Sequence, residues 1–455
     1  MAYNFIECNR EQMYLMPLSL QEWLPEDHLA WFIIDAVKQM DLLPFYKKYR
    51  TDGLGQAAYE PSMMVGLLLY AYCLGVRSSR RIERACEVDV AFKVITANQK
   101  PDYSTTCRFR QENERELERL FTEVLRMCSK AGMVKVGMVA LDGTKVEANA
   151  SLAANLTREH IEAEVKRMFE EAEAMDKAED ALYGKTRRGD ELPEELRNRK
   201  SRLERLKKCK ERLEREEEEK KKNQAEKIQK RLAEETMTGK KKRGRKPKEP
   251  ESVPETNAKA NITDPESRIM KTRKGYVQGY NAQTVVTKDQ IIVAADVTQE
   301  ENDVHQLYPM LDLAEAELKE IGIEGGIEVA LMDAGYWSEC NILQAASDGM
   351  ELLIATKKDW KQREAMRKAP PPRGRIPNKL SVRERMERKL LTNRGKKLYK
   401  FRSQTVEPVF GQIKDVRGCK RFMRRGHYAV QSEWSLICAT HNLLKLFRNG
   451  NAVWN

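Results

Sequence analysis

The sequence has few of the residues that build cross-linked or metal-bound small domains. Nine cysteines are spread along 455 residues, no two of them at Cys-x-x-Cys spacing. The five histidines include no pair at the spacing of zinc ligands. These absences argue against a disulfide framework and against a zinc site, and they favour reduced thiols in an intracellular protein.

Long apolar runs are missing as well. The N-terminal residues MAYNFIECNREQ include acidic and polar side chains where a secretion signal needs an apolar run. No stretch approaches the roughly 18 apolar residues that a membrane helix requires. The sequence therefore predicts a cytoplasmic protein with no membrane segment.

Positive charge is what the sequence has in excess. It contains 82 Lys and Arg against 70 Asp and Glu, which gives a formal net charge of +12. Such an excess favours a polyanion as partner, because neutralising phosphates releases condensed counterions. A protein that is merely basic would have the same composition, so charge alone leaves both interpretations open.

Residues 1–130 have the pattern of a helical domain. The run from Met63 to Tyr72 is apolar nearly all round and predicts a buried helix, with Gly75 as its C-cap. The next helix has a basic side and an apolar side, and the pair resembles a helix-turn-helix. A second basic helix follows near residue 105. The predicted DNA-contacting residues of this region are Arg80, Arg81, Arg84, Arg108 and Arg110. An ordinary helical domain with a solvated basic face is the alternative.

Residues 157–262 look like an insertion. Apolar residues at steps of three and four predict a helical hairpin with coiled-coil character, and its dense charges also fit a solvated arm. The run KKKRGRKPK after it predicts a disordered basic linker. Its Arg243-Gly244-Arg245 core resembles an AT-hook, although Lys246 precedes the proline. We expect this segment to bind phosphates without reading sequence.

Strand patterns occupy the rest of the chain and predict a mixed α/β fold. Residues 133–150 predict a strand with a turn at Asp142-Gly143, and two further strands follow from residue 275. Asn302 or Asp303 is expected to cap the next helix. A strand ending at Asp333, a helix, another strand, and a basic loop or lid at 357–398 come next. A helix carrying Glu407 and a closing amphipathic helix complete the pattern.

Three acidic residues occur where burial would ordinarily be resisted. Asp142 and Asp333 follow apolar runs, and Glu407 lies on a predicted helix. Each alone fits a cap or a turn residue. Together they can converge at one edge of a sheet, where the combined negative charge is costly unless cations neutralise it. Oxygen ligands of this kind suit Mg²⁺.

The segments around these acids carry a family resemblance. LDGTKVEANAS, MDAGYWS and TVEPVFGQIKD look like the three acidic motifs of bacterial insertion-sequence transposases of the DDE class. The segments PDYSTTCRFR, TDPESRIMKTRKGYVQGYNAQ and CATHNLLKL are similar to one large subgroup with a helical N-terminal domain. The similarity spans the chain apart from a variable insertion at 157–255.

The resemblance implies a fold and a domain order. It implies a ribonuclease H-like, retroviral-integrase-like catalytic core, built as a mixed sheet with flanking helices. The implied domains are a helical DNA-binding domain at 1–130, a first part of the core at 131–156, the insertion and its linker at 157–262, and the remaining core with a closing helix at 263–455.

The resemblance also implies an activity. Asp142, Asp333 and Glu407 would hold two Mg²⁺ ions, with Mn²⁺ as a substitute, for in-line phosphoryl transfer that cleaves and rejoins DNA. The implied partners are double-stranded terminal inverted repeats and target DNA, with a homodimer or larger assembly joining two DNA ends. The protein would then be associated with the bacterial nucleoid when active.

Related transposases carry Tyr, two residues, Arg, three residues, Glu, six residues, Lys. Here Tyr399, Arg402, Glu407 and Lys414 follow this pattern except that the Arg–Glu gap is one residue longer. Lys414 lies two helical turns beyond Glu407, where it can hold a phosphate near the cut. The basic residues expected to extend this DNA-binding surface are Arg402, Arg417, Lys420, Arg421, Arg424 and Arg425.

Three alternatives remain open at this point. A nuclease of the same fold would cut without joining, and a transposase-derived DNA-binding protein would have lost catalysis. A coiled-coil scaffold fits the insertion but not the strands around it. The terminal repeats, the target sequence and the excision route are not legible in the sequence.

Overall fold

The computed structural model describes residues 19–50, 52, 57–168, 170, 194–238, 258–272, 275–347, 349–356, 364, 368, 370–377 and 379–450. None of the helices in these ranges has the length and apolar character needed to cross a lipid bilayer. The predicted basic linker after residue 238, with Arg243 and Arg245, lies outside them.

The chain begins with a group of helices. They are α1 (Leu29–Lys38), α2 (Leu43–Tyr46), α3 (Pro61–Cys73), α4 (Ser79–Val88), α5 (Val90–Ile95), α6 (Tyr103–Glu112) and α7 (Glu114–Lys130). The Glu60 side chain caps α3, and Pro61 occupies its first turn, where no backbone donor is needed. Every residue of α3 from Met64 to Cys73 is buried, which confirms the prediction from its all-round apolar sequence.

Six strands form the main sheet. They are β1 (Met138–Glu147), β4 (Arg268–Thr272), β5 (Gly275–Thr287), β6 (Ile292–Thr298), β7 (Val329–Met332) and β8 (Glu351–Ile354). β1 pairs antiparallel with β5, and β5 pairs antiparallel with both β4 and β6. On its other edge β1 pairs parallel with β7, which pairs parallel with β8. The mixed α/β prediction is therefore confirmed.

The predicted turn at Asp142-Gly143 is wrong. β1 continues through both residues and stays paired with β5 from Val139 to Glu147. Its pairing with β7, in contrast, ends at Ala140. Asp142 therefore lies on a continuous strand, two residues beyond the point where the pairing of β1 with β7 ends.

Helices flank this sheet. They are α10 (Leu307–Glu320), α11 (Glu339–Ser347), α12 (Val382–Leu391), α13 (Asn393–Gly411) and α14 (His427–Asn449), with a π-helical turn at Gln412–Val416. α10 has Gln306 as its N-cap, so the expected cap at Asn302 or Asp303 is wrong. The loop expected over 357–398 is also wrong from Val382 onward, because Ser381 and Glu384 form a capping box that starts α12.

The insertion leaves and rejoins the core through a two-stranded sheet, β2 (Asn155–Thr157) and β3 (Lys259–Asn261). It contains a helix at residues 158–168, α8, and the 45-residue helix α9 (Glu194–Thr238). A small apolar cluster joins the two helices to β3 through Ile161, Leu206, Cys209, Leu213 and Ala260. The turn predicted around Gly184, Gly189 and Pro193 lies outside the described residues.

One apolar core runs through the N-terminal helices and the sheet. α14 connects them, since it packs against α3 and α7 on one side and β6 on the other. Its Trp434 is fully buried and donates its indole N–H to the Gln283 carbonyl at 3.2 Å. The amphipathic pattern of the C-terminal segment thus predicted an internal helix correctly.

A buried ion pair ties the connection between α3 and α4 to α14. Arg77 Nη1 lies 2.9 Å from Glu433 Oε1, and the two side chains are 7% and 0% exposed. Arg77 also donates to the carbonyls of Gly418 and Arg421, while Glu433 accepts the backbone N–H groups of Met423 and Arg424. The pair therefore holds the backbone of the basic segment 418–424 in place.

Candidate active site

Asp142 and Glu407 come from different elements and share one guanidinium group. Arg402 on α13 places Nη2 2.6 Å from Asp142 Oδ2 and Nη1 3.7 Å from Glu407 Oε1. The Asp142 and Arg402 side chains are 16% and 11% exposed, whereas Glu407 is 62% exposed. The arginine thus lies between a mostly buried carboxylate, that of Asp142, and an exposed one, that of Glu407.

The charge of Asp142 is costly where it lies. Burial raises the pKa of Asp142 to about 7, the nearby charges of Asp333 and Asp303 add to this, and Arg402 opposes it. For Arg402, burial lowers the pKa, but the charges of Asp142 and its other acidic neighbours outweigh burial and raise it. The site is therefore a buried negative region that is partly neutralised by the chain's own cation.

Asp333 lies directly after β7, as the sequence predicted. Its Oδ1 accepts the backbone N–H of Gly335 at 2.7 Å, which holds the carboxylate at the end of the strand. The hydroxyl of Tyr399 donates to the Met332 carbonyl at 3.0 Å. Because Tyr399 and Arg402 are three residues apart on one helix, this bond also sets the height of Arg402 over the sheet.

Sequence reasoning missed Asp303 as a residue of this region. Its Oδ1 accepts hydrogen bonds from Asn281 Nδ2 at 2.7 Å and Gln283 Nε2 at 2.8 Å, and Lys145 Nζ lies 3.6 Å away. β6 and β1 are each antiparallel to β5, and β7 is parallel to β1. β6, β1 and β7 therefore all run in the same direction. An acidic residue soon after β6 was the signal that could have found it, because the carboxyl ends of these strands share one edge.

Lys414 lies against β1 and contacts residues of that strand that closely follow Asp142. Its Nζ donates to Thr144 Oγ1 and to the Lys145 carbonyl, each at 2.6 Å. Burial lowers the pKa of Lys414 to about 8. The π-helical turn that follows α13 carries this lysine, so α13 and its extension deliver Arg402, Glu407 and Lys414 to one side of β1.

Two protein families match parts of the chain. A transposase domain family (DUF772) matches residues 18–112, and a transposase DDE domain family matches residues 362–447. The two matches together support an insertion-sequence DDE transposase. No curated protein and no solved structure matches it. The chain is thus an enzyme of the DDE transposase and nuclease class, and transposases act on DNA.

The two matches cover different parts of the transposase's candidate site. The DDE-domain match contains Arg402, Glu407 and Lys414. Asp142 and Asp333 lie outside both matched ranges. Their assignment depends on the geometry above and on the sequence motifs around them.

The candidate DNA-binding arginines of the transposase differ in how far solvent reaches them. Arg80, Arg81, Arg84, Arg108 and Arg421 are exposed, and the Arg80 guanidinium lies 5.2 Å from the centre of the Tyr103 ring. Arg402 and Arg424 are mostly covered, Arg402 by Asp142 and Arg424 by its ion pair with Glu114. Arg243 and Arg245 lie outside the described residues.

Two further arginines of that set are buried in the transposase. Arg110 donates to the Tyr72 hydroxyl and the Arg77 carbonyl, and Arg417 donates to Thr440 Oγ1 and the Ile437 carbonyl. Both side chains stabilise contacts between helices, with Arg110 6% and Arg417 8% exposed. We therefore leave them out of the proposed DNA-binding surface.

The donor chemistry of the transposase's site fits a divalent metal. Carboxylate oxygens are the ligands that Mg²⁺ prefers. Within the described part of the chain, no three His, Cys, Asp or Glu side chains are already grouped closely enough to hold an ion. Between Asp142 and Glu407 the positive group is the Arg402 guanidinium, so it takes the position that a shared cation would need.

Proposed function

We propose that this transposase cleaves DNA at the ends of its own element and joins those ends to target DNA, using Mg²⁺. The observation that supports this most directly is the shared environment of Asp142, Asp333 and Glu407. Residues 142, 333 and 407 come from a strand, a strand end and a helix, and their charges meet around Arg402. The charge of Asp142 is mostly buried, and buried negative charge calls for cations.

A ribonuclease H-like core is the fold that we propose for the sheet. In its favour are the order β6-β5-β1-β7-β8, the antiparallel first three strands and the parallel last three. The connection from β6 to β7 contains α10, and that from β7 to β8 contains α11. Both proposed catalytic aspartates lie on or after the central strands of this arrangement, β1 and β7.

Asp142, Asp333 and Glu407 are the residues that would hold the metal. When bound, two Mg²⁺ ions would activate a water or DNA 3′-hydroxyl and stabilise the leaving 3′-oxygen. For Asp142 and Glu407 to share a cation, Arg402 has to leave them, and its guanidinium can then turn to a DNA phosphate. No serine or tyrosine nucleophile is required for this chemistry.

Lys414 and the exposed arginines are the proposed phosphate contacts. Lys414 reaches β1 beside Thr144, two residues beyond Asp142, where a phosphate next to the cut would lie. Arg80, Arg81, Arg84 and Arg108 form the exposed basic side of α4 and α6, which we propose for the terminal repeats. Joining two DNA ends calls for at least two copies of the chain.

The test uses duplexes made from the DNA that flanks the gene, labelled at one 5′ end. We expect nicking with Mg²⁺ or Mn²⁺ and none with EDTA. Asp142→Asn, Asp333→Asn and Glu407→Gln should each abolish nicking while retaining binding in a gel-shift assay. Asp312→Asn is the matched control, because Asp312 is exposed on α10 and should keep full activity. Full nicking by any of the first three variants would remove that residue from the site.

Adding a supercoiled plasmid separates joining from cutting. A transposase should produce plasmid molecules that carry the labelled end, whereas a cleavage-only nuclease should release labelled fragments without plasmid product. Binding without either product would identify a catalytically silent DNA-binding protein and contradict the proposed function.

A further inference from the structure

Asp303 faces the end of β7 with the carboxylate oxygen that its amide partners leave free. Oδ1 accepts from Asn281 and Gln283. Oδ2 points towards Gly335, where an added Cβ atom would lie 3.1 Å from Asp303 Oδ2 and 2.9 Å from Asp333 Oδ1. The two carboxylates therefore border the same small space.

The glycines that follow the two proposed catalytic aspartates make room for Asp303. A Cβ atom at Gly143 would come closest to Gln283 Nε2 and would lie 2.8 Å from Asp303 Oδ1, so a side chain there would crowd this hydrogen-bonded pair. Neither glycine is among the residues with positive φ. Backbone conformation thus does not require glycine there, whereas the close approach of Gln283 and Asp303 at Gly143, and of Asp333 and Asp303 at Gly335, leaves little room for a Cβ atom.

A second buried group next to Asp303 lacks a partner. Asn281 is 0% exposed, and its Nδ2 donates to Asp303 and to the Glu300 carbonyl. Among the described residues, none donates to Asn281 Oδ1. A buried amide oxygen of this kind ordinarily has a donor, and water bound to a cation would supply one.

Hydrogen bonds through Tyr336 and Gln283 also restrain Asp303. Tyr336 is fully buried and donates its hydroxyl to Gln283 Oε1, while Gln283 Nε2 donates to Asp303. The charges of Asp303, Asp142 and Asp333 all act on the Tyr336 hydroxyl. One chain of hydrogen bonds therefore fixes Asp303 relative to the MDAGYW segment that contains Asp333.

We propose that Asp303 is a fourth acidic residue of the metal site and holds one of the two cations together with Asp333. This inference rests on the proposed function, because it assigns a further ligand to the same site. In this arrangement Asn281 and Gln283 position Asp303, and the glycines at 143 and 335 allow it to approach.

Binding of Mn²⁺ to the full-length chain, followed by electron paramagnetic resonance of the free ion, tests this without relying on activity. We expect Asp303→Asn to weaken one Mn²⁺ site by about tenfold or more, and we expect Asp142→Asn to do the same. Asp312→Asn should bind like the wild type. Gly143→Ala is a second variant that keeps both charges but crowds Asp303 and the Gln283 amide that positions it, and it should weaken binding in the same direction.

Melting in EDTA and in Mn²⁺ checks that each variant is folded. Asp303→Asn should melt in EDTA near the wild-type temperature, and the rise in melting temperature on adding Mn²⁺ should be smaller. If Asp142→Asn loses Mn²⁺ binding while Asp303→Asn and Gly143→Ala keep it, this inference is overturned and the proposed function stands. If the wild type binds no Mn²⁺, both are overturned.

Discussion

Asp142→Asn should make the metal-free protein more stable relative to the wild type as the pH rises. Burial raises the pKa of Asp142 to about 7 from an ordinary value of 3.8. The folded protein then holds the proton more tightly than the unfolded chain does. The contribution of Asp142 to stability is consequently greatest at low pH and is lost as the pH rises towards 7.

The size of the effect follows from the same pKa values. Linkage between pKa values of 3.8 and about 7 predicts that the wild type loses about 3 kcal/mol of unfolding free energy between pH 5 and pH 8 through this residue. This is an upper limit, because the side chain is 16% exposed. Asparagine does not titrate, so the variant lacks this loss.

The bond to Arg402 titrates together with Asp142. Arg402 stays protonated between pH 5 and pH 8, so its attraction to Asp142 changes only as the carboxylate loses its proton. That attraction is one of the causes that set the pKa of Asp142 at about 7, so it is already included in the expected slope. Asparagine carries no charge at any pH, and the slope of the difference therefore reports the ionisation of Asp142.

Urea unfolding in EDTA at pH 5, 6, 7 and 8 measures this slope. The variant-minus-wild-type difference in unfolding free energy should grow steadily across the series, by up to about 3 kcal/mol. The exposed Asp312→Asn variant should show a flat difference. A flat difference for Asp142→Asn as well would refute the argument that its carboxylate is buried at energetic cost.

Three other predictions follow from the structure. Arg77→Met leaves Glu433 buried without its partner, so urea unfolding should show a loss of about 3–5 kcal/mol, against less than about 0.5 kcal/mol for the exposed Arg80→Met. Burial lowers the pKa of Lys414 to about 8, so the lysine loses its charge above that pH. DNA affinity, measured by fluorescence anisotropy, should therefore fall between about pH 7 and pH 9, and it should fall less in Lys414→Met. Arg84→Ala should reduce by about one the slope of log affinity against log salt concentration for duplex DNA, and an unchanged slope would exclude a phosphate contact.

The secondary structure was largely predictable because it depends on local patterns. The all-round apolar run of α3, the two strand-forming runs of β5 and β6, and the amphipathic α14 each follow from patterns that their own residues carry. The turn predicted at Asp142-Gly143 was wrong. Asp-Gly is a strong local turn signal, but pairing with β5 over the length of β1 outweighed it.

The candidate site was predictable only in part. Acidic residues after apolar runs identified Asp142 and Asp333, and a motif identified Glu407. Asp303 follows the apolar strand β6 at a distance of five residues and was interpreted as a helix cap, so its contacts with Asn281 and Gln283 were needed to place it in the site. Nor does the sequence say that Arg402 bridges Asp142 and Glu407, because residues 142 and 402 meet through the packing of α13 on β1.

The sequence by itself determined the order of most helices and strands and the motifs around the three acids, since each depends on residues close together along the chain. It also determined the excess of basic residues, which is a matter of composition alone. The tertiary structure alone decided which charges are buried and which residues face one another. Arg110 and Arg417 belong to basic runs like their exposed neighbours, yet packing buries both. The burial of a side chain and the distance between residues remote in sequence depend on the whole fold. They determine the pKa of Asp142 and the residues that contact Asp303.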